Sequence, residues 1–116
     1  MAGYSVNRLV AGASTNATLV VARPAEVTGW WFQNSAAYAV YFKLYDSATI
    51  PTAGAGTPKL TIGIAAASSG GVDFGSDPAG SITFTAGIGY TITKLAADAD
   101  ATVLVAADCV TNLFWK

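Results

Sequence analysis

The sequence predicts an all-β domain, a β-sandwich or jelly-roll-like fold of about eight short antiparallel strands. Three observations point there. Short runs alternate apolar and polar residues with a period of two. Clusters of Gly, Pro, Ser, Asn and Asp separate the runs. The one helix-compatible stretch, Ala96 to Ala101 (AADADA), is short and reads as a turn. At 116 residues there is room for one domain.

The first sixteen residues hold no sustained period, so residues 1–16 read as an arm and residues 17–116 as the domain. Ala17 to Ala22 (ATLVVA) is a β-branched first strand closed by Arg23-Pro24. Glu26 to Asn34 (EVTGWWFQN) places Val27, Gly29 and Trp31 on one face and Thr28, Trp30 and Phe32 on the other. Both faces are apolar, so this strand must be covered on two sides. Ala37 to Tyr45 (AYAVYFKLY) sets Tyr38, Val40, Phe42 and Leu44 toward the core. The short link Asn34-Ser35-Ala36 suits a tight hairpin between these two strands.

Asp46 to Pro58 carries two prolines and two glycines without a core period, and is a long loop suited to docking on another subunit. Lys59 to Ala65 alternates Leu60, Ile62 and Ile64 inward, after which Ser68 to Gly71 turns the chain. Gly80 to Thr85 and Ile88 to Thr93 read as a second hairpin through Ala86-Gly87, where glycine can supply a positive φ. Ile82 and Phe84 then face Ile88, Tyr90 and Ile92. Thr102 to Ala106 (TVLVA) reads as a strand, and Val110 to Trp115 as a last strand or tail.

Composition narrows the function classes. Six basic residues stand against seven acidic ones, and the basic residues are scattered, which argues against nucleic acid. Charged residues make up 11% of the chain, against about 25% in an ordinary domain. So little charge leaves uncharged, partly apolar patches, and much of this surface is expected to meet partners. The longest apolar run, Ala36 to Phe42, has seven residues, too few for a membrane-spanning helix. The N-terminus has no charged region followed by an apolar stretch, so synthesis and retention in a cytoplasm are expected.

Catalysis is not expected. There is no histidine, which removes the commonest general base and neutral metal ligand. Cys109 sits beside Asp108, a neighbour that raises a thiol pKa. The acids Asp46, Asp73, Asp77, Asp98, Asp100 and Asp108 fall mostly in turn sequences. Asp98 and Asp100 could offer oxygens to calcium, but the glycine and terminal glutamate of an EF-hand loop are missing. Gly54-Ala-Gly56 and Gly87-Ile-Gly89 precede neither a helix nor a Lys-Ser/Thr pair, so no phosphate loop is present. No metal and no cofactor is expected.

The aromatics are more informative. Trp30 and Trp31 are adjacent on a strand, so only one can enter a given core. The other packs under a loop, lies in a subunit interface, or stacks on a sugar. Trp115, next to the last residue, is expected to dock on the domain or on a neighbour. The candidate contact residues are Trp30, Trp31, Tyr45, Ile50, Pro51, Pro58 and Trp115.

The stretch Tyr41-Phe42-Lys43-Leu44-Tyr45-Asp46-Ser47-Ala48, then Pro51-Thr52-Ala53-Gly54 and Thr57-Pro58, resembles small virion structural proteins of tailed bacteriophages. Gly70-Gly71, Phe84, Gly87-Ile88, Tyr90-Thr91-Ile92-Thr93, Asp98 and Asp100 extend the likeness over roughly Gly29 to Asn112. These are strand and turn residues, and the first 28 residues add nothing to the match. The resemblance implies a capsid decoration, or cement, protein: a β-sandwich that trimerises on the capsid surface and clamps the major capsid protein. A neck, tail or baseplate component, or a carbohydrate-binding receptor-recognition module, would fit the same residues.

Overall fold

The computed structural model describes residues 5–74 and 80–116. Residues 1–4 of the expected arm, together with Asp77, lie outside the described residues. The described chain forms nine strands: β1 (Ser5–Val10), β2 (Thr18–Val21), β3 (Ala25–Asn34), β4 (Val40–Asp46), β5 (Leu60–Ile64), β6 (Ser68–Asp73), β7 (Ile82–Phe84), β8 (Ile88–Thr93) and β9 (Cys109–Trp115). All pairings are antiparallel. A five-stranded sheet runs β1-β9-β3-β6, with β7 also on β3, and a four-stranded sheet runs β2-β8-β4-β5. The all-β, two-sheet class expected from the sequence is the class observed.

The inner faces meet in one core. Phe32 of the five-stranded sheet stacks on Phe42 of the four-stranded sheet at 4.6 Å between ring centroids, and Phe42 meets Tyr90 at 4.4 Å. Val40, Phe42 and Leu44 are fully buried, as their alternation predicts, and Ile88, Tyr90 and Ile92 join them. Leu60, Ile62 and Ile64 also turn inward on β5.

Several local expectations are corrected. Residues 5–10 of the expected arm form an edge strand on β9, the strand at the far end of the chain. The strand is mixed: Val6 and Val10 face solvent, Leu9 packs on the core, and Asn7 points inward and accepts a 2.7 Å hydrogen bond from the Tyr90 hydroxyl. Asn34-Ser35-Ala36 is not a hairpin, because β3 and β4 belong to different sheets. The buried Asn34 pins that corner: its Nδ2 donates to the carbonyls of Tyr38 (2.8 Å), Ile64 (3.3 Å) and Ala65 (3.1 Å), and its Oδ1 accepts from Ala36 N–H (3.0 Å).

The second expected hairpin is likewise a crossing between sheets, since β7 pairs with β3 and β8 with β2 and β4. Phe84 meets Ile88, Tyr90 and Ile92 through the core and not across a ladder. Gly87 has no positive φ; a side chain there would strike the carbonyl oxygens of Val21 and Ser47. Ser68 to Gly71 lies in β6 rather than in a turn, and the bend falls earlier, at Ala67 with φ 50°. Thr102 to Ala106 joins no ladder. Leu104 is buried and the chain passes from one sheet to the other, donating to Ser14 O (3.3 Å) and Ala11 O (2.6 Å) from Leu104 and Ala107.

Candidate interaction face

A bulge in β3 decides which tryptophan is exposed. The pairing with β9 slips between Val27 and Gly29, so Thr28 adds one residue and the alternation changes phase. Val27 is buried, and beyond the bulge Trp30, Phe32 and Asn34 turn inward while Trp31 and Gln33 turn out. The expected grouping of Val27 with Trp31 on one face therefore fails. Trp30 is half-buried, stacked 6.3 Å from Phe32 and edge-on to Phe74 at 5.9 Å. Trp31 is 47% exposed.

The registers then fix what surrounds Trp31, because directly paired residues share a face. One row reads Arg8, Asn112, Trp31 and Gly71; the rows beside it read Val6, Phe114, Gly29, Asp73 and Val10, Val110, Gln33, Ser69. The outer face of the five-stranded sheet thus mixes apolar and polar side chains, with Trp31 near its middle and Val6 (57% exposed) and Val10 (45%) along β1. Arg8 is the cation within it and forms no ion pair among the described residues. Asn112 Nδ2 donates to the Trp31 carbonyl at 3.2 Å. Gly29 permits the close approach: a Cβ there would meet Asp73 and the Phe114 ring at 3.0 and 3.2 Å.

The outer face of the four-stranded sheet is covered by the chain's own loops. Tyr45 and Lys43 point outward yet are buried. Pro51 packs on Gly89, the residue paired with Tyr45, leaving room for no Cβ there. Lys43 Nζ donates to Ala97 O at 2.6 Å, and Gly54, with φ +82°, brings the 46–58 loop against Ala99 and Ala101. The loop expected to dock on another subunit therefore packs in part on its own domain, through Pro51 and Gly54. Tyr45 and Pro51 are removed from the surface, Pro58 is half-buried, and Ile50 alone among these projects, at 63% exposure. Trp115 is half-buried at the end of β9, with the Arg23 guanidinium 5.6 Å from its ring centroid.

Of the expected contact residues, Trp31 on the five-stranded sheet and Ile50 in the 46–58 loop are the exposed ones. Sequence reasoning missed Val6, Arg8, Val10, Asn112 and Phe114. The signal was the alternation Val6-Arg8-Val10, hidden in the polar and small residues around it.

Burial, reinforced by Asp108, pushes the Cys109 thiol up to about 11. The Asp100 carboxylate, considered above for calcium, accepts from Thr102 Oγ1 (2.6 Å), Leu95 N–H (3.1 Å) and Thr102 N–H (3.3 Å) within its own turn. These bonds hold its pKa below the ordinary aspartate value. Compared with family models, curated proteins and solved structures, the chain matches none.

Proposed function

We propose that this chain is a structural virion protein, a capsid decoration or cement protein that forms a homotrimer on the phage head and binds the major capsid protein. The observation that carries the reading is the exposed Trp31 on the outer face of the five-stranded sheet, with Val6 and Val10 exposed on the same face. Loops pack on the opposite sheet's outer face at Lys43 and Gly89, whereas among the described residues no loop is seen to cover Trp31. The low charge of the whole chain and the resemblance of residues 29–112 to phage virion proteins support it. Made in the host cytoplasm, the protein would end on the capsid surface.

Burying Trp31, Val6 and Val10 yields roughly 5 kcal/mol per copy at about 25 cal/mol per Å². Lost translational and rotational freedom offsets much of that. One copy thus holds weakly, and many copies linked to one another hold strongly. Each occupied site also favours the assembled shell over its separated subunits.

The test is to incubate the purified protein with undecorated capsids, then measure co-sedimentation and the heat resistance of the particles. Binding that raises heat resistance, and that Trp31→Ala weakens, supports the reading. Absence of binding at micromolar protein moves it to a neck, tail or baseplate role. A second reading has its own observation: the exposed Trp31 shares an outer face with Asn112 on the neighbouring strand, Gln33 on its own strand and Arg8 two strands away, groups able to bond sugar hydroxyls. A glycan array tests that carbohydrate-binding alternative directly.

A further inference from the structure

We propose that copies of this chain join edge to edge, β1 of one copy adding antiparallel to β6 of the next, so that the five-stranded sheets run on from copy to copy. The inference rests on the self-assembly part of the proposed function and names its interface; it does not depend on the capsid.

The two edges are suited to each other and, among the described residues, poorly defended. β1 and β6 are each six residues long and terminate the sheet path. Exposed edges are ordinarily blunted by bulges, prolines or lysines. In the four-stranded sheet they are: β2 is bulged between Leu19 and Val21, and Pro58-Lys59 leads into β5. In the five-stranded sheet β6 reads SSGGVD and β1 reads SVNRLV, with neither proline nor lysine.

Orientation agrees. Three antiparallel pairings separate β1 from β6, so the two run in opposite directions. Rotating a copy about an axis along the strands therefore sets its β1 antiparallel to the first copy's β6. Such a head-to-tail contact closes into a ring when the rotation permits.

The inner surface supplies the specificity. β6 turns Ser68, Gly70 and Val72 inward, and a Cβ on Gly70 would have nothing within 4 Å. The missing side chain leaves a cleft of about 330 Å³ between β5 and β6, floored by Trp30, Phe32 and Ile62. Leu9, Thr111, Phe32 and Gly70 form one inward row. With no slip along the strands, Leu9 of the next copy, which lies at the rim of that copy's own core, comes beside Gly70 at the mouth of the cleft. On the outer face the same register sets Arg8 of that copy diagonally across from Asp73, joining opposite charges.

The test uses the full chain. Val10 and Ser69 share an outward row, so the proposed register makes them neighbours across the contact. Within one copy they stand three strand spacings apart, roughly 14 Å, too far for a disulfide. The double variant Val10→Cys with Ser69→Cys is expected to give disulfide-linked multimers on mild oxidation, reversed by reductant, whereas neither single variant forms them. Gly70→Phe, which fills the cleft from within, is expected to lower the light-scattering mass to that of one chain with the melting temperature kept. An oligomer in which the paired cysteines fail to link and Gly70→Phe changes nothing overturns this interface and leaves self-assembly standing. A wild-type chain that stays monomeric at its highest soluble concentration overturns both.

Discussion

Asp46, at the end of β4, grips Thr85, just past β7: Oδ2 accepts the Thr85 N–H and the Thr85 hydroxyl, each at 2.9 Å. Oδ1 takes Ala86 N–H at 2.8 Å and Gly87 N–H at 3.4 Å. One carboxylate thus organises the crossing from one sheet to the other. These donors, the Thr85 and Ala86 N–H groups first, lower its pKa to about 2. A depressed carboxylate pKa contributes stability above the unfolded value near 3.9, which is lost as pH falls toward 2. Asp46→Asn is therefore expected to destabilise the fold at pH 7, by about 1 kcal/mol after allowing for solvent screening. Its difference from the wild type should shrink between pH 4 and 2, as thermal melts across that range would measure.

Asn34 is the equivalent pin at the β3–β4 corner, but a buried one. Asn34→Leu would strip the Tyr38, Ile64 and Ala65 carbonyls of a donor. A loss of about 2–3 kcal/mol is expected in urea unfolding. Asn34→Asp should do worse, since it turns a carboxylate toward carbonyl oxygens.

The two adjacent tryptophans should separate cleanly. Trp30→Ala removes a ring packed on Phe32 and Phe74 and is expected to cost about 3 kcal/mol. Trp31→Ala should change the stability of the isolated chain by less than about 0.5 kcal/mol while weakening capsid binding. Chemical denaturation of both variants, beside the co-sedimentation assay, decides this.

Neighbouring glycines also differ. A Cβ on Gly71 would overlap the Trp30 carbonyl oxygen, whereas one on Gly70 meets open space. Gly71→Ala is expected to push β6 off β3 and to cost about 2 kcal/mol or more, and Gly70→Ala to be neutral or mildly stabilising. Comparative melting curves read this directly.

Cys109 should resist alkylation in the native protein and react in denaturant, because it is buried and its thiol pKa is raised to about 11. The sign for stability follows. A raised thiol pKa leaves stability intact below the unfolded value near 8.5 and erodes it as pH climbs toward 11. Cys109→Ala should flatten that alkaline decline in pH-dependent unfolding.

Much of the fold was legible because alternation is a local property. Val40, Phe42 and Leu44 announce an inward face by their spacing alone, and Leu60, Ile62 and Ile64 do the same. Pairing is not local. Nothing in Asn34-Ser35-Ala36 or Ala86-Gly87 distinguishes a hairpin from a step between sheets, since either bends the chain within a few residues. The interaction face was legible only in part: two aromatic neighbours could not share one core, but the Thr28 bulge decided that Trp31 is the outward one.

The sequence by itself determined an all-β chain with too little charge for an ordinary surface, because composition and period are properties of the residues alone. Only the tertiary structure decided where that apolar surface lies. The 46–58 loop folds back over one sheet and buries Tyr45 and Pro51. β1, from the far end of the chain, meets β9 and sets Val6 beside Phe114 and Val10 beside Val110, on the face that carries Trp31. Burial belongs to the packed whole: a side chain is covered or bare according to what the rest of the chain brings against it, and spacing along the sequence carries no record of that.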